Sequence, residues 1–170
     1  MAIQIIIRIS FTTTHTMNEF VLKKINKNYC SSLYLFQKKF KELEDNIWEI
    51  DELNNLISKE SFFGKLCFKN KSIVGFCIGS QVFDIFEIHS IFVHPFYRRN
   101  GIAKKILEKC IIFCQEKKVK KIILEVNVEN DAAKKFYTLN KFKNCGLRKN
   151  YYFSESGRKD AQLMELKITE

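Results

Sequence analysis

The stretch with the clearest chemistry is Ile91-Phe92-Val93-His94-Pro95-Phe96-Tyr97-Arg98-Arg99-Asn100-Gly101-Ile102-Ala103-Lys104. A β-branched run breaks at a proline, passes two arginines and a glycine, and opens into a sequence of helical period. That order reads as strand, tight loop and helix. The first turn of such a helix carries unpaired backbone N–H groups and the positive end of the macrodipole, which suits a phosphate group. Gly101 lets the backbone come close to a ligand, and Arg98, Arg99 and Lys104 bring positive charge, so a pyrophosphate is the natural guest. The spacing matches neither Gly-x-x-x-x-Gly-Lys-Ser/Thr nor Gly-x-Gly-x-x-Gly. An ordinary strand-to-helix turn with solvated arginines is the other reading of these residues alone.

A second candidate is Glu125, in Ile122-Ile123-Leu124-Glu125-Val126-Asn127-Val128. By alternation Ile122, Leu124, Val126 and Val128 share one face of a strand, and Ile123, Glu125 and Asn127 the other. A carboxylate there is costly unless it is partnered or at work; the alternative is a strand edge that lets it reach water. A third feature is the acidic group Glu42, Glu44, Asp45, Glu49, Asp51 and Glu52 around Trp48, either a rim for a basic tail or a solvated helix face. The cysteines at 30, 67, 77, 110, 114 and 145 lie in apolar patterns without a Cys-x-x-Cys pair, so reduced, buried thiols are expected and no metal.

Several elements must position these residues. Residues 3–9 are rich in β-branched types and read as a strand. Thr16 with Glu19 suggests a capped helix over Met17 to Asn26, followed by a helical region over about 31–60 in one or two pieces. Strand patterns run over Phe62 to Phe68, Ser72 to Val82 and Ile85 to Val93, with Lys69-Asn70-Lys71 as a short turn. The helix after the loop is the strongest element: Ile102, Ala103, Ile106, Leu107, Cys110, Ile111 and Cys114 keep the 3.6-residue period. Asn130 can cap a helix holding Ala132, Ala133, Phe136, Tyr137 and Leu139, and Cys145 to Phe153 with Ala161 to Ile168 forms a terminal hairpin.

A length of 170 residues points to one domain, and 46% apolar with 28% charged residues is a globular composition. No stretch approaches the about 20 apolar residues that span a bilayer, and residues 1–11 lack the order of a signal peptide. No membrane partner and a cytoplasmic location are expected. The net charge of +10 would fit a polyanion, yet 24 lysines against 5 arginines lie scattered along the chain, so nucleic acid is not required.

Arg98, Gly101 and Ala103 match the Arg/Gln-x-x-Gly-x-Gly/Ala pattern, which resembles the coenzyme A loop of the GCN5-related N-acetyltransferase (GNAT) superfamily. The predicted order β-αα-βββ-α-β-α-ββ is that of the superfamily: one α/β (α+β) domain over 1–170, a mixed, mostly antiparallel sheet flanked by helices. The chain is most similar to the bacterial ribosomal-protein N-terminal alanine acetyltransferases, through Glu87-Ile88, Ile91-Phe92-Val93, the loop, Leu124-Glu125-Val126, Asn130, Tyr137, Leu147-Arg148-Lys149-Asn150-Tyr151-Tyr152 and Asp160-Ala161 to Met164. This covers roughly 62–168; a segment of about 11–60, which selects substrates in such enzymes, matches poorly. Two departures stand out. Lys141 replaces a usual glycine, with Asn140 expected to take the left-handed conformation, and Ala103 stands where many members have glycine.

The resemblance implies direct transfer of acetyl from acetyl-CoA, without metal, to a protein N-terminus. The expected acceptor is the N-terminal alanine of small-subunit ribosomal protein number eighteen; a lysine side chain, a small amine, or a non-enzymatic ribosome- or RNA-associated role are the alternatives. By the same resemblance Glu125 is the base and Tyr137 the acid. Ile91, Phe92 and Val93 hold the pantetheine arm, with a backbone N–H near Val93 meeting the thioester oxygen. Arg99, Asn100, Gly101, Ile102, Ala103 and Lys104 cradle the pyrophosphate, and Asn130 makes a further coenzyme contact. Trp48, Tyr151 and Tyr152 are expected at the acceptor, and a monomer is expected.

Overall fold

The structure, a computed structural model, describes residues 20–41, 47–154 and 157–168. The strand expected over 3–9, Thr16, Met17, Glu42, Glu44 and Asp45 lie outside the described residues. In chain order the elements are β1 (Val21–Lys24), α1 (Cys30–Lys38), α2 (Ile50–Ile57), β2 (Phe62–Lys69), β3 (Ser72–Val82), β4 (Ile85–Val93), α3 (Ile102–Glu116), β5 (Lys121–Asn127), α4 (Asp131–Leu139), β6 (Lys143–Ser154) and β7 (Gly157–Lys167). The strands form one sheet in the order β1-β2-β3-β4-β5-β7-β6. Among the described residues only β4 and β5 are parallel neighbours, joined by α3 as a crossover.

The helix expected over Met17 to Asn26 is a correction, because Val21–Lys24 pairs with β2 from Val21↔Phe68 to Lys24↔Lys65. Phe20 and Leu22 belong to one core and Ile25 to the other. The apolar residues that suggested a helical face are thus shared between two sides of a sheet, and the free edge of β2 decides the outcome over local propensity. Between β2 and β3 the turn falls as expected, with Asn70 and Lys71 at φ 49° and 68°, the left-handed pair that a tight hairpin needs.

Two apolar cores lie on opposite faces of the sheet. One joins α3 and α4 to the strands through Ile106, Leu107, Cys110, Ile122, Leu124, Val126, Tyr137 and Met164. The other joins α1 and α2 through Leu33, Phe36, Leu53, Leu66, Phe76 and Ile78. Strand β4 contributes to both in an order that a regular strand forbids. Phe86 and Ile88 enter the first core, whereas Phe92, an even number of residues later, enters the second. The cause is a bulge: Gly79 pairs with Ile88 and Ile78 with Ser90, so His89 is one residue too many. Gly79 is required opposite it, since a Cβ there would stand 2.5 Å from the Phe86 ring and 2.6 Å from the Glu87 carbonyl oxygen.

The bulge has a second effect. The parallel ladder between β4 and β5 runs from Ile85↔Lys121 to Ile88↔Leu124 and stops there. Beyond it the two strands part, and the sheet has an opening flanked by residues 89–93 on one side and 125–127 on the other.

Candidate active site

The loop after β4 is built for an anion. His94 starts a short 3-10 turn over Pro95–Tyr97, with its Nδ1 accepting from Phe96 N–H at 3.1 Å. The Asn100 amide donates to the Tyr97 and Arg98 carbonyls, each at 3.2 Å, which folds the loop back on itself. Arg99 and Gly101 then take left-handed φ values of 66° and 74° and bring the chain to α3. No side chain caps this helix. Its first backbone bond is Lys105 N–H to the Gly101 carbonyl, so the N–H groups of Ile102, Ala103 and Lys104 have no partner within the helix. Arg99 and Lys104 are exposed beside them. Arg98 is different: its Nε donates to the Val93 carbonyl at 3.1 Å and its guanidinium lies 5.7 Å from the Phe92 ring centre. It braces the end of β4.

The open edge of β4 continues this cradle. His94 gives its N–H to Val74 of the neighbouring strand side. In an antiparallel ladder alternate residues face opposite edges, so Ile91 and Val93 turn their backbone groups toward the opening. Asn130 caps α4, its Oδ1 accepting from Ala133 N–H at 3.0 Å, as its position before the helix predicts.

Glu125 stands on the α1/α2 face of β5, and its side chain is 13% exposed. It is not alone there, because Arg148 Nη1 of β6 lies 2.5 Å from its Oε1. Tyr151 also hydrogen-bonds to Glu125, and that bond is the first cause of a Tyr151 hydroxyl pushed up from its ordinary pKa. The register explains how β6 reaches so far: Arg148 pairs with Ala161 but Tyr152 with Lys159, so Lys149, Asn150 and Tyr151 are looped out of the ladder. Asn150 takes φ 55°, and its N–H is held by Asp160 Oδ1 at 2.8 Å. Arg148 lies 4.9 Å from the Tyr151 ring centre, and Tyr152 packs edge-on against Tyr151 at 4.9 Å.

Tyr137 lies on the opposite face, 6% exposed in the core of α3 and α4. Burial pushes its hydroxyl well above the ordinary phenol range, with Cys77, Tyr152 and Cys110 adding to the effect. Tyr152 therefore lies near both candidate groups, through Tyr151 on one side and Tyr137 on the other. The helix that carries Tyr137 ends differently from expectation. Asn140 keeps φ −96° and spends its amide on the Phe136 carbonyl at 2.8 Å, and it is Lys141 that turns left-handed at φ 69°.

On the acceptor face the sequence pointed to Glu87 and Trp48, and the structure adds His89 and Ser80, which the sequence did not single out. Glu87 is on the same face of β4, across from Ile123 of β5. Its carboxyl is held below the ordinary range by the neighbouring His89 imidazole, with Nδ1 3.8 Å from Oε1, and Arg148 adds to this. His89 Nε2 is 2.7 Å from Ser80 Oγ. Trp48 lies over His89 with ring centres 5.6 Å apart. Of the acidic group, Glu52 reaches back to Glu49 N–H at 3.0 Å in a capping box for α2, a local role that an acidic count does not reveal. Five cysteines are buried, but Cys145 is exposed. The ladder steps from Asn144↔Met164 to Gly146↔Leu163, which leaves Cys145 unpaired on an edge strand.

These residues bring groups suited to an anion, an open strand edge and a carboxylate around one opening, an arrangement suited to moving a group from an anionic carrier to a nucleophile on the far side. Residues 27–142 match the acetyltransferase (GNAT) family. The ribosomal protein bS18-alanine N-acetyltransferase of Escherichia coli (strain K12) is 34% identical over 101 residues, 59% of this chain and 68% of that protein. The crystal structure of the ribosomal-protein-S18-alanine N-acetyltransferase from Escherichia coli aligns with a TM-score of 0.79 at 24% identity, covering 89% of this chain and 95% of that one. Arabidopsis thaliana NAA60 in complex with acetyl-CoA aligns with a TM-score of 0.78 at 15% identity over 88% of this chain and 98% of its own. With a family match over most of its length and a relative that shares a third of the aligned residues, the chain belongs to the acetyltransferase (GNAT) family.

Proposed function

We propose that this protein transfers acetyl from acetyl-CoA to the α-amine of a protein N-terminus, and that its acceptor is the N-terminal alanine of ribosomal protein bS18. The observation that supports the reading is Glu125 on the α1/α2 face of β5, next to the point where the β4/β5 ladder ends, with Tyr137 in the core of the other face. The relative that shares 34% identity is named for the same acceptor.

Acetyl-CoA supplies an acetyl group activated as a thioester. The free N–H groups at the start of α3, with Arg99 and Lys104, suit its pyrophosphate, and the open edge at Ile91, Phe92 and Val93 suits the amides of its pantetheine arm. Asn130, at the start of α4, keeps its amide N–H₂ for a further contact. An N-terminal ammonium has a pKa of about 7.7–8.0 and must lose a proton before it attacks. Glu125 takes that proton, directly or through a water, on the acceptor face. The N–H that Val93 turns to the opening meets the negative charge that grows on the carbonyl oxygen, a donation typically worth about 3 kcal/mol. Tyr137, kept protonated by burial, donates to the departing sulfur from the other face. Tyr151 and Tyr152 close over the acceptor from β6, and Trp48 does so from the turn before α2.

Mass spectrometry of acetyl transfer to peptides beginning Ala-Arg, Ser or Met, beside a peptide with a blocked N-terminus and a free lysine, tests this directly. Rapid acetylation of the alanine peptide alone is expected. Modification of the blocked peptide would instead assign the protein to lysine acceptors, and no transfer to any peptide would favour a small amine or a non-enzymatic role.

A further inference from the structure

The lysines are spread along the chain, but the carboxylates are not. Residues 20–41 and 61–83 hold nine lysines and no aspartate or glutamate. These stretches contain β1, β2 and β3, which lie side by side at one end of the sheet. The fold therefore gathers an acid-free surface that the running sequence hides.

Within it, like charges are set against each other. Lys24 of β1 pairs directly with Lys65 of β2, an arrangement that costs stability unless something neutralises it. Neither lysine has an ion pair among the described residues. Leu22 and Cys67, the pair two residues away, both pack in the core under α3, so Lys24 and Lys65 stand on that same side. Lysines on an edge strand can deter pairing with another chain, but Lys65 belongs to the inner neighbour. On α3, Lys105 Nζ donates to the Phe20 carbonyl at the start of β1, at 3.2 Å, and Lys109 follows one turn on along the same flank. The carboxylates of this helix, Glu108 and Glu116, lie on its outer side and near its far end.

This basic strip ends in aromatic rings. Phe20, Phe96 and Tyr97, with Lys69 and Asn100, line a cleft of about 350 Å³. Lys69 Nζ lies 5.4 Å from the ring centres of both Phe20 and Tyr97. Phe96 meets Tyr97 edge-on at 5.1 Å and is 80% exposed. Ammonium groups leading to open aromatic faces suit a single-stranded nucleic acid, with phosphates on the cations and bases on the rings. An acidic peptide would use the lysines and leave the rings idle.

We propose that this face, from Lys24, Lys65 and Lys109 to the cleft at Phe96, binds single-stranded RNA. The strand neutralises the opposed lysines, and a base lies against Phe96. The choice of RNA over DNA rests on the reading that the acceptor is a ribosomal protein; the surface itself does not, since it lies outside the opening between β4 and β5.

Fluorescence anisotropy of a short labelled oligouridine, titrated with protein over a range of salt, tests this. Lys24→Gln with Lys65→Gln should weaken binding about tenfold and reduce the slope of log K against log salt by about 1.4, the value for two phosphates on a single strand. Lys143→Gln with Lys167→Gln removes the same charge at the opposite end of the sheet and should leave the slope unchanged. Phe96→Ala should weaken binding at least about fivefold at constant slope, because it removes a stacked base and no charge. Acetyl transfer to the alanine peptide, measured without RNA, should match the parent in both lysine variants.

Equal slopes in the two lysine variants, each melting as a folded protein, would reduce the effect to net charge and overturn the surface. Displacement of the RNA by acetyl-CoA would assign the cleft to the coenzyme, with the same result. Tighter binding of polyglutamate or of oligodeoxyuridine than of oligouridine would overturn RNA as the partner. The expected RNA pattern without acetylation of any peptide would support the surface and overturn the acetyl-transfer reading. Acetylation of the alanine peptide without that pattern would overturn the surface alone.

Discussion

The two faces of the opening between β4 and β5 are made of contrasting material. Behind it, toward α3 and α4, Tyr137 sits with Cys77, Cys110, Leu124 and Val126 in an apolar core. In front, toward α1 and α2, Glu87, His89, Glu125, Arg148 and Tyr151 form a connected and partly solvated group. A single strand serves both, because the bulge at His89 exchanges the faces of β4 halfway along. The difference teaches where each kind of proton can be handled. A phenol in a dry core keeps its proton, whereas a carboxylate next to water and cations can pass one on.

The sharpest way to break this division is to remove each group in turn. Glu125→Gln and Tyr137→Phe should each lower kcat about 10²–10⁴-fold, the range for positioned acid–base groups, with little change in KM for acetyl-CoA. In the proposed mechanism the two act on different protons from different faces, so the double variant should be slower than either single variant. A double variant no slower than Glu125→Gln would mean that both groups serve one proton transfer, and the division would fail.

A smaller effect tests the dryness of the rear face. Below about pH 10 the Tyr137 phenol is protonated in folded and unfolded chains alike; above it only the unfolded chain releases the proton. The raised pKa of Tyr137 therefore contributes stability that is present below pH 10 and lost as pH rises toward the folded value. In denaturant titrations, the stability of the parent relative to Tyr137→Phe should decline from about pH 10 upward. A flat difference would place the hydroxyl in water.

The smallest effect concerns the end of α4. Lys141 is exposed and left-handed at φ 69°, a conformation that costs a β-carbon-bearing residue about 1–2 kcal/mol. Lys141→Gly should raise stability by about 1 kcal/mol and Tm by about 2–4 °C, read in a thermal melt with acetyl transfer retained. An unchanged Tm would show that the turn is not strained.

Local patterns carried much of this architecture. The loop from Arg98 to Lys104, the period of α3, the cap at Asn130 and the hairpin turn at Asn70-Lys71 each depend on residues a few places apart, and each stands where its pattern predicts. Features set by distant partners were not legible. Val21–Lys24 becomes a strand only because β2, about forty residues on, has a free edge. Glu125 advertised itself as an odd carboxylate, but its partner Arg148 comes from another strand and reaches it through a looped-out register. Trp48 was expected at the acceptor, but nothing in the sequence joined it to Gln37, an unmarked member of a helical region whose buried amide holds its backbone. His89 gave no signal at all, since a bulge is a mismatch between two strands and neither strand shows it alone.

That mismatch also works as a counting device. From Ser90 onward every side chain of β4 is turned half a step out of phase with those before His89, up to the loop proposed for the phosphates. The number of residues between Gly79's partner and Pro95, more than the identity of any one of them, decides which face of the sheet each side chain meets.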